Sequence, residues 1–378
     1  MRPIKGPGGF LTAFMAVAAL TAGAAVSVTA SASVTVPNAR NAESAGKLPD
    51  YGKNDNVHAD ISRYSFEVNS SHPDQVVGTG TPAGCTSAAV VRAVALGGVI
   101  VFRCGPRPVT IRMSATAKAV NTSRWVVLDG GGKVTLNGGG ARQILYMNTC
   151  DRAQKITTED CYDQQRPRLI VQNITMADGY SAVRQTSGTY FGGGGGGAIF
   201  DLGGQLRVVN SRFVDNRCYR YGPDLAGAAI RALVQWQRLP VYVVGSTFTG
   251  GRCSNGGALS SIGVSWVVLN CVMTNNGAIG YGANPAVPHT PGGGSGGAIY
   301  TDGDRYTVRL DGTLLRGNFA REGGGAVFFV SDDRTGTLTV QNSWLRDNPS
   351  GVFWTRAYPG IYFHSSGRPA VINSTIRS

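Results

Sequence analysis

A short run, Gly-Gly-Ala followed by Ile, Leu or Val, returns along the chain at intervals of a few tens of residues, and no other feature limits the fold so strongly. It stands as GGAIF at 196, GAAIR at 227, GGALS at 256, GGAIY at 296 and GGAVF at 324, with PGIYF at 359 as a degenerate copy. The alanines, Ala198, Ala229, Ala258, Ala298 and Ala326, are 31, 29, 40 and 28 residues apart. Some 13 to 17 residues after each alanine comes a second element of small-polar, any, then apolar residues: VNSRFVDN (209), VGSTFTGG (244), LNCVMTNN (269), LDGTLLRGN (310) and QNSWLRDN (341). A motif order that never changes marks a stack of like units. The segments between are short and alternate apolar with polar residues, with no helical period. Strands of that size bury an apolar face only by stacking on the next unit at about 4.8 Å. The expected fold is all-β, a right-handed parallel β-helix.

Each repeated position then has a physical task. The glycines turn a tight corner at positive φ. The column of Asn210, Asn270, Asn342 and Asn373 places amides where they can hydrogen-bond along the stack. The column of Ser211, Ser246, Cys271, Thr313, Ser343 and Ser374 is small and buried, and Phe213, Phe248, Met273, Leu315 and Leu345 fill the interior. Upstream, GGVIVFRC, PVTIRM, RWVVLDG, KVTLNG and QILYM read as further coils. Before them, CTSAAVVRAVALGG carries one apolar helical stripe with Thr86 or Ser87 as N-cap. A helix over about 86–97 would plug the open end of the stack.

Composition agrees. With 54 glycines and 15% charged against 42% apolar residues, the chain is too glycine-rich for a helical protein and too apolar for a disordered one. Arg2 and Lys5, the apolar run over 10–28 and Ala30-Ser31-Ala32 read as a signal peptide over 1–32. Residues 33–75 are polar, aperiodic and expected to be loose, and 76–378 form the β-helix domain. With no later apolar run long enough to span a bilayer, the expectation is a secreted, extracellular protein.

Disulfides are the default for cysteines in such a chain. Cys85 and Cys104 tie the start of the domain together, and Cys150 and Cys161 flank a polar loop. Cys218 and Cys253 each lie two residues past the second element, so stacking sets their Cα atoms about 5 Å apart, a span that suits a bond. Cys271 is left as a reduced core thiol.

The formal charge of +13, or +11 without Arg2 and Lys5, favours an acidic partner. No basic run, RNA-binding aromatic signature or DNA-reading helix is present, so nucleic acid is not expected.

From the cysteine-bearing helix through VVLDGGGKVTL into the GGA coils, the chain resembles secreted bacterial members of the pectate-lyase-like β-helix superfamily. The paired GGA[ILV] and FxxN elements also resemble repeats of the chlamydial polymorphic outer-membrane proteins. These resemblances imply polysaccharide lyases, glycoside hydrolases, esterases or adhesins. Of the polygalacturonase elements only Asp332-Asp333 is matched, and the W-x-D-H element of pectate lyases is missing.

Candidate chemistry comes from stacking. Counting from the alanines, Asp304 stacks on Asp332, Arg305 on Asp333, and His364 falls in the column of Asp302, with Arg334 one coil below Arg368. Paired carboxylates of this kind suit acid/base chemistry or a calcium ion, held by Asp304 and Asp332, on a uronate. The long insertions fall between the FxxN element and the next GGA, and so project from one side, where solenoids commonly bind. Tyr190, Tyr219, Tyr221, Tyr281, Trp354 and Tyr358 offer stacking faces to sugar rings. The expected function is binding, with cleavage as its extension, of an acidic polysaccharide or cell-surface glycan in a lateral groove. The alternative is a non-enzymatic adhesin or surface-display protein. With no closing helix after Ile376, the C-terminal coil offers its edge for self-association.

Overall fold

The chain is described by a computed structural model covering residues 59–62, 65–184, 194–283 and 286–378. The expected signal peptide lies outside the described residues. From Gln75 on, the described residues form a right-handed parallel β-helix whose strands pair in parallel with those of neighbouring coils. Each complete coil has three faces. The first holds Ile199–Leu202, Ile230–Leu233, Leu259–Ile262, Ile299–Asp302, Val327–Val330 and Ile361–His364. The second holds Gln205–Val209, Val241–Val244, Trp266–Leu269, Thr307–Asp311, Thr337–Gln341 and Ala370–Ile372. The third holds Arg212–Val214, Thr247–Thr249, Val272–Thr274, Leu314–Arg316, Trp344–Arg346 and Thr375–Arg377. A short sheet (Tyr180–Ser181, Arg217–Cys218, Arg252–Cys253, Gly277–Ala278, Phe319–Ala320) leads back toward the first face.

The repeats are these corners and columns. At the GGA corner, Gly296 has φ +73°, and a Cβ on Gly297 would sit 2.0 Å from the carbonyl oxygen of Gly325. One glycine turns the chain and the next admits the neighbouring coil. Phe213 and Phe248 stack inside with centroids 4.7 Å apart and planes 3° off parallel. The small-polar column is a hydroxyl ladder: Ser211 N donates to Ser246 Oγ, Thr313 N to Ser343 Oγ and Ser343 N to Ser374 Oγ, at 2.9–3.0 Å. Cys271 occupies one rung, fully buried. Asn210 Nδ2 donates to Asn173 Oδ1 and Asn373 Nδ2 to Asn342 Oδ1, at 2.6 and 2.9 Å. A second amide ladder, Asn276 to Asn318 to Asn348, runs at 2.9 Å a step where the third face meets the short sheet.

The helix Ser87–Leu96 closes one end, capped by the Thr86 side chain, which accepts from Ala89 N. Its Val90, Ala93 and Val94 enter the core. Disulfides join Cys85 to Cys104, Cys150 to Cys161 and Cys218 to Cys253, the last with Cα atoms 4.7 Å apart. At the other end Ala370–Ile372 and Thr375–Arg377 are paired on one side only. Among the described residues, no helix is long and apolar enough to cross a membrane.

The described part of the 33–75 segment is held on the coils by hydrogen bonds and apolar contacts. It crosses the outside of the second face as a strap. Gln172 brackets Val68, accepting from its N–H and donating to its carbonyl at 2.8 Å each. Ser70 Oγ donates to Asp129 Oδ2 at 2.6 Å, and Asp74 Oδ2 accepts from Val99 N at 2.7 Å. Ala59 and Ile61 pack on Val209, Val244 and Leu269, and Val68 packs on Val127 and Ile170. The physical reason is in the strands themselves. Where the strap lies they are apolar on both faces, as in VYVV and WVVL. One coil beyond Ala59, the outward pair becomes Arg309 and Asp311, in a 2.6 Å ion pair.

Candidate functional site

Two groups of candidate residues meet the first face, one on each side. On the corner leaving this face, Tyr300 hydroxyl donates to Asp302 Oδ2 at 3.0 Å, and Gly303 N donates to Asp302 Oδ1 at 2.9 Å. In the next coil Asp332 N donates to the carbonyl of Gly303 at 2.8 Å, and Ser331 Oγ to that of Asp304 at 2.9 Å. Val330 pairs with His364, so His364 lies in the Asp302 column two coils on, as the spacing predicts.

The electrostatics follow from burial and like charge. Asp302 is pushed above the usual carboxylate range, first by burial, then by Asp332; the donors at Tyr300 and Gly303 oppose the shift. Asp332 is raised by desolvation and by Asp304, with His364 opposing. Tyr300 is driven well above its ordinary value by burial and by the fields of Asp302 and Asp224, and Arg231 works against them. Asp302, Asp332 and Asp304 therefore share one electrostatic neighbourhood with His364 and Asp224.

Asp333 joins it only through a like-charge push on Asp332, the last of the influences on that carboxyl. Asp333 accepts from Thr335 N, Thr335 Oγ1 and Ser331 Oγ at 2.8–3.0 Å, which holds its carboxyl below the usual range. It is a turn residue, with Arg334 beside it at φ +59°. Arg305 acts on Asp333 through its charge alone. Among the described residues, no group of three or more His, Cys, Asp and Glu side chains is placed to hold a metal ion, so the structure does not add a third such ligand to the calcium pair expected at Asp304 and Asp332.

On the corner entering the face, the insertions build a row of rings. Tyr219 and Tyr221 meet edge to face with centroids 6.2 Å apart, and Tyr221 meets Tyr281 at 5.9 Å. Buried polar side chains hold these loops. Ser254 Oγ donates to Gly222 O and Asn255 Nδ2 to Pro223 O, both at 2.7 Å, while Asn255 Oδ1 accepts from Ser295 N at 2.9 Å. Glu322 Oε1 accepts from Gly282 N at 3.0 Å and fixes the loop that carries Tyr281.

Each ring carries an arginine. Arg184 lies 4.9 Å from the Tyr219 centroid, Arg220 4.6 Å from Tyr221 and Arg321 5.5 Å from Tyr281. Among the described residues, no carboxylate pairs with any of the three. Sequence reading named the tyrosines. It missed the arginines because Arg184 and Arg321 come from other coils, and only the fold brings them over the rings.

Three other candidates stand differently. Tyr190 lies outside the described residues, Tyr358 is packed against the core, and Trp354 is exposed with no ring partner among the described residues. Between the two groups the outer side of the first face is not an open trough. Ala226 packs on Tyr300 and Phe328, and Phe353 meets Phe328 and Tyr362.

Comparison of the chain with protein-family models, with curated proteins and with solved structures finds no match.

Proposed function

We propose that this is a secreted protein that binds an acidic polysaccharide across the loops entering the first face. One observation carries the reading: three tyrosines in contact, each beneath an arginine that no described carboxylate neutralises. A guanidinium stacked on a ring keeps its N–H edge free, and that planar edge matches a carboxylate. The exposed parts of the rings offer flat apolar area to sugar C–H groups. Rings and cations in alternation suit a chain of uronate residues better than a neutral glycan. The three disulfides accord with an oxidising, extracellular compartment. The stacked parallel coils support kinship with the pectate-lyase-like β-helices.

The test is calorimetric titration with uronate oligomers, set against neutral oligomers of equal length. Replacing Arg184, Arg220 and Arg321 by Gln should weaken uronate binding at least tenfold. Unchanged affinity in that variant, or equal binding of neutral oligomers, would count against this reading.

A second reading, cleavage, is favoured by Asp302. A buried carboxyl whose acid form persists above the usual carboxylate range suits a general acid at a glycosidic oxygen, and Asp332 nearby supplies the second carboxylate of such a pair. Release of reducing ends would support hydrolysis, and ultraviolet absorbance of unsaturated uronate would instead indicate a lyase. Binding without either product leaves the adhesin reading.

A further inference from the structure

The third face carries a feature that the loop site does not use. Its strands place Arg316, Arg346 and Arg377 in register on three successive coils. Leu315, Leu345 and Ile376 point inward between their flanking residues, so the three arginines share the outer surface. Parallel pairing sets their backbones about 4.8 Å apart, a spacing at which like charges repel unless an anion lies among them. Little on the protein does so. The Asp347 carboxylate stands 3.7 Å from Arg316 Nε, both well exposed. Arg346 is stacked 3.6 Å above the Trp344 ring, and its Nε is buried with no hydrogen-bond acceptor among the described residues. Arg377 has no carboxylate partner among them. The arrangement is a ladder of cations with one rung fixed against an indole and only one carboxylate to three guanidiniums.

We propose that this ladder is a second polyanion site, which binds a uronate strand running parallel to the β-helix axis. The coil repeat supplies one guanidinium per step, and an extended uronate chain supplies one carboxylate per ring. Trp344 and Leu314, two residues before Arg346 and Arg316 on the same surface, give the sugar rings an apolar floor. The proposal shares the ligand class of the loop site but stands on different residues and a different face. With both sites filled, one chain holds two polysaccharide strands.

The experiment is calorimetric titration of the full chain with hexamers of galacturonate, guluronate and glucuronate-containing chains. Two hexamers per chain are expected for the parent. Replacing Arg316, Arg346 and Arg377 by Gln should leave one, and replacing the same three by Lys should keep two with weakened affinity. Because Arg346 rests on Trp344, the pair R316Q/R377Q is included. It leaves that contact intact and should still lower the ladder affinity about tenfold. The loop variant R184Q/R220Q/R321Q separates the two readings: it should also leave one hexamer, whereas a parent that binds one hexamer, kept by the loop variant and lost with the ladder variant, upholds the ladder and overturns the loop site. A ladder variant that binds the same number of hexamers with the same affinity overturns the ladder, as does a parent that binds one hexamer abolished by the loop variant. No binding of any uronate hexamer overturns both.

Discussion

Asn270 holds Ala59 with both ends of its side-chain amide, Oδ1 accepting from Ala59 N at 2.7 Å and Nδ2 donating to Ala59 O at 3.0 Å, across 211 residues of sequence. The same clamp recurs between Gln172 and Val68. Two such bonds are together worth about 1–3 kcal/mol net, enough to shift a local docking equilibrium without unfolding the coils. Asn270→Ala should therefore raise the rate of proteolytic cleavage within residues 59–74 some tenfold or more while the main melting transition moves little. Equal cleavage of parent and variant would mean that the apolar contacts of Ala59 and Ile61 hold the strap alone.

How far the strap was legible is instructive. Its own residues are polar and aperiodic and carry no strand signal. Its counterpart was visible: VYVV and WVVL are apolar at every position, where a coil wetted on its outer side would alternate. The coils themselves were legible because interior columns such as Phe213 and Phe248, and corner glycines, must repeat in any stack. The sites were legible only in part. Arg184 over Tyr219, or Asp224 near Asp302, depends on how insertions of unequal length fold back, and no repeat constrains that.

The cysteine arrangement allows a direct count. Cys271 is fully buried on the hydroxyl ladder, and desolvation pushes its thiol up to about 12, against the backbone contacts at Ser246 and Leu269. A neutral buried thiol is unreactive. The native protein should show no thiol to an aromatic disulfide reagent, and one per chain after unfolding without reductant. Cys271→Ser puts a hydroxyl among Ser246 and Thr313 and should fold with its melting temperature little changed. Replacing Cys218 and Cys253 by Ala removes a bond spanning 35 residues and should cost about 2–4 kcal/mol. More than one thiol in the unfolded, unreduced chain would show that one of the three bonds does not form.

For the cleavage reading, Asp302 decides the pH profile. Its carboxyl is raised by burial and by Asp332, so the acid form persists above the ordinary carboxylate range and activity should fall as pH rises through that raised value. Asp302→Asn should lower kcat by about 10²–10⁴. Tyr300→Phe removes a donor to Asp302 that favours the ionised carboxylate, and should move the basic limb of the profile upward. Asp333→Asn, which removes only a like charge acting on Asp332, should move the profile less than Tyr300→Phe does. An unmoved limb in Tyr300→Phe would place the titrating acid elsewhere.

Asp201 gives the clearest linkage between fold and pH. It sits in the stack interior between Met147 and Ala232, with Oδ2 accepting from Gln235 Nε2 at 2.6 Å and Oδ1 without a hydrogen-bond partner among the described residues. Burial drives its carboxyl well above the unfolded value of 3.8, and the bond from Gln235 opposes this only in part. A group raised in the folded state contributes stability that is fully present below its unfolded pKa and is lost as pH rises toward the folded one. Asp201→Asn keeps the position neutral at every pH. The variant should thus match the parent near pH 3 and gain on it as pH rises above 4 toward the folded value, and each pH unit of displacement is worth about 1.4 kcal/mol. Denaturant midpoints of the two proteins across that range provide the measurement. Midpoints that stay a constant distance apart would mean that Asp201 is ionised in the fold, with a partner for Oδ1 that relieves its burial.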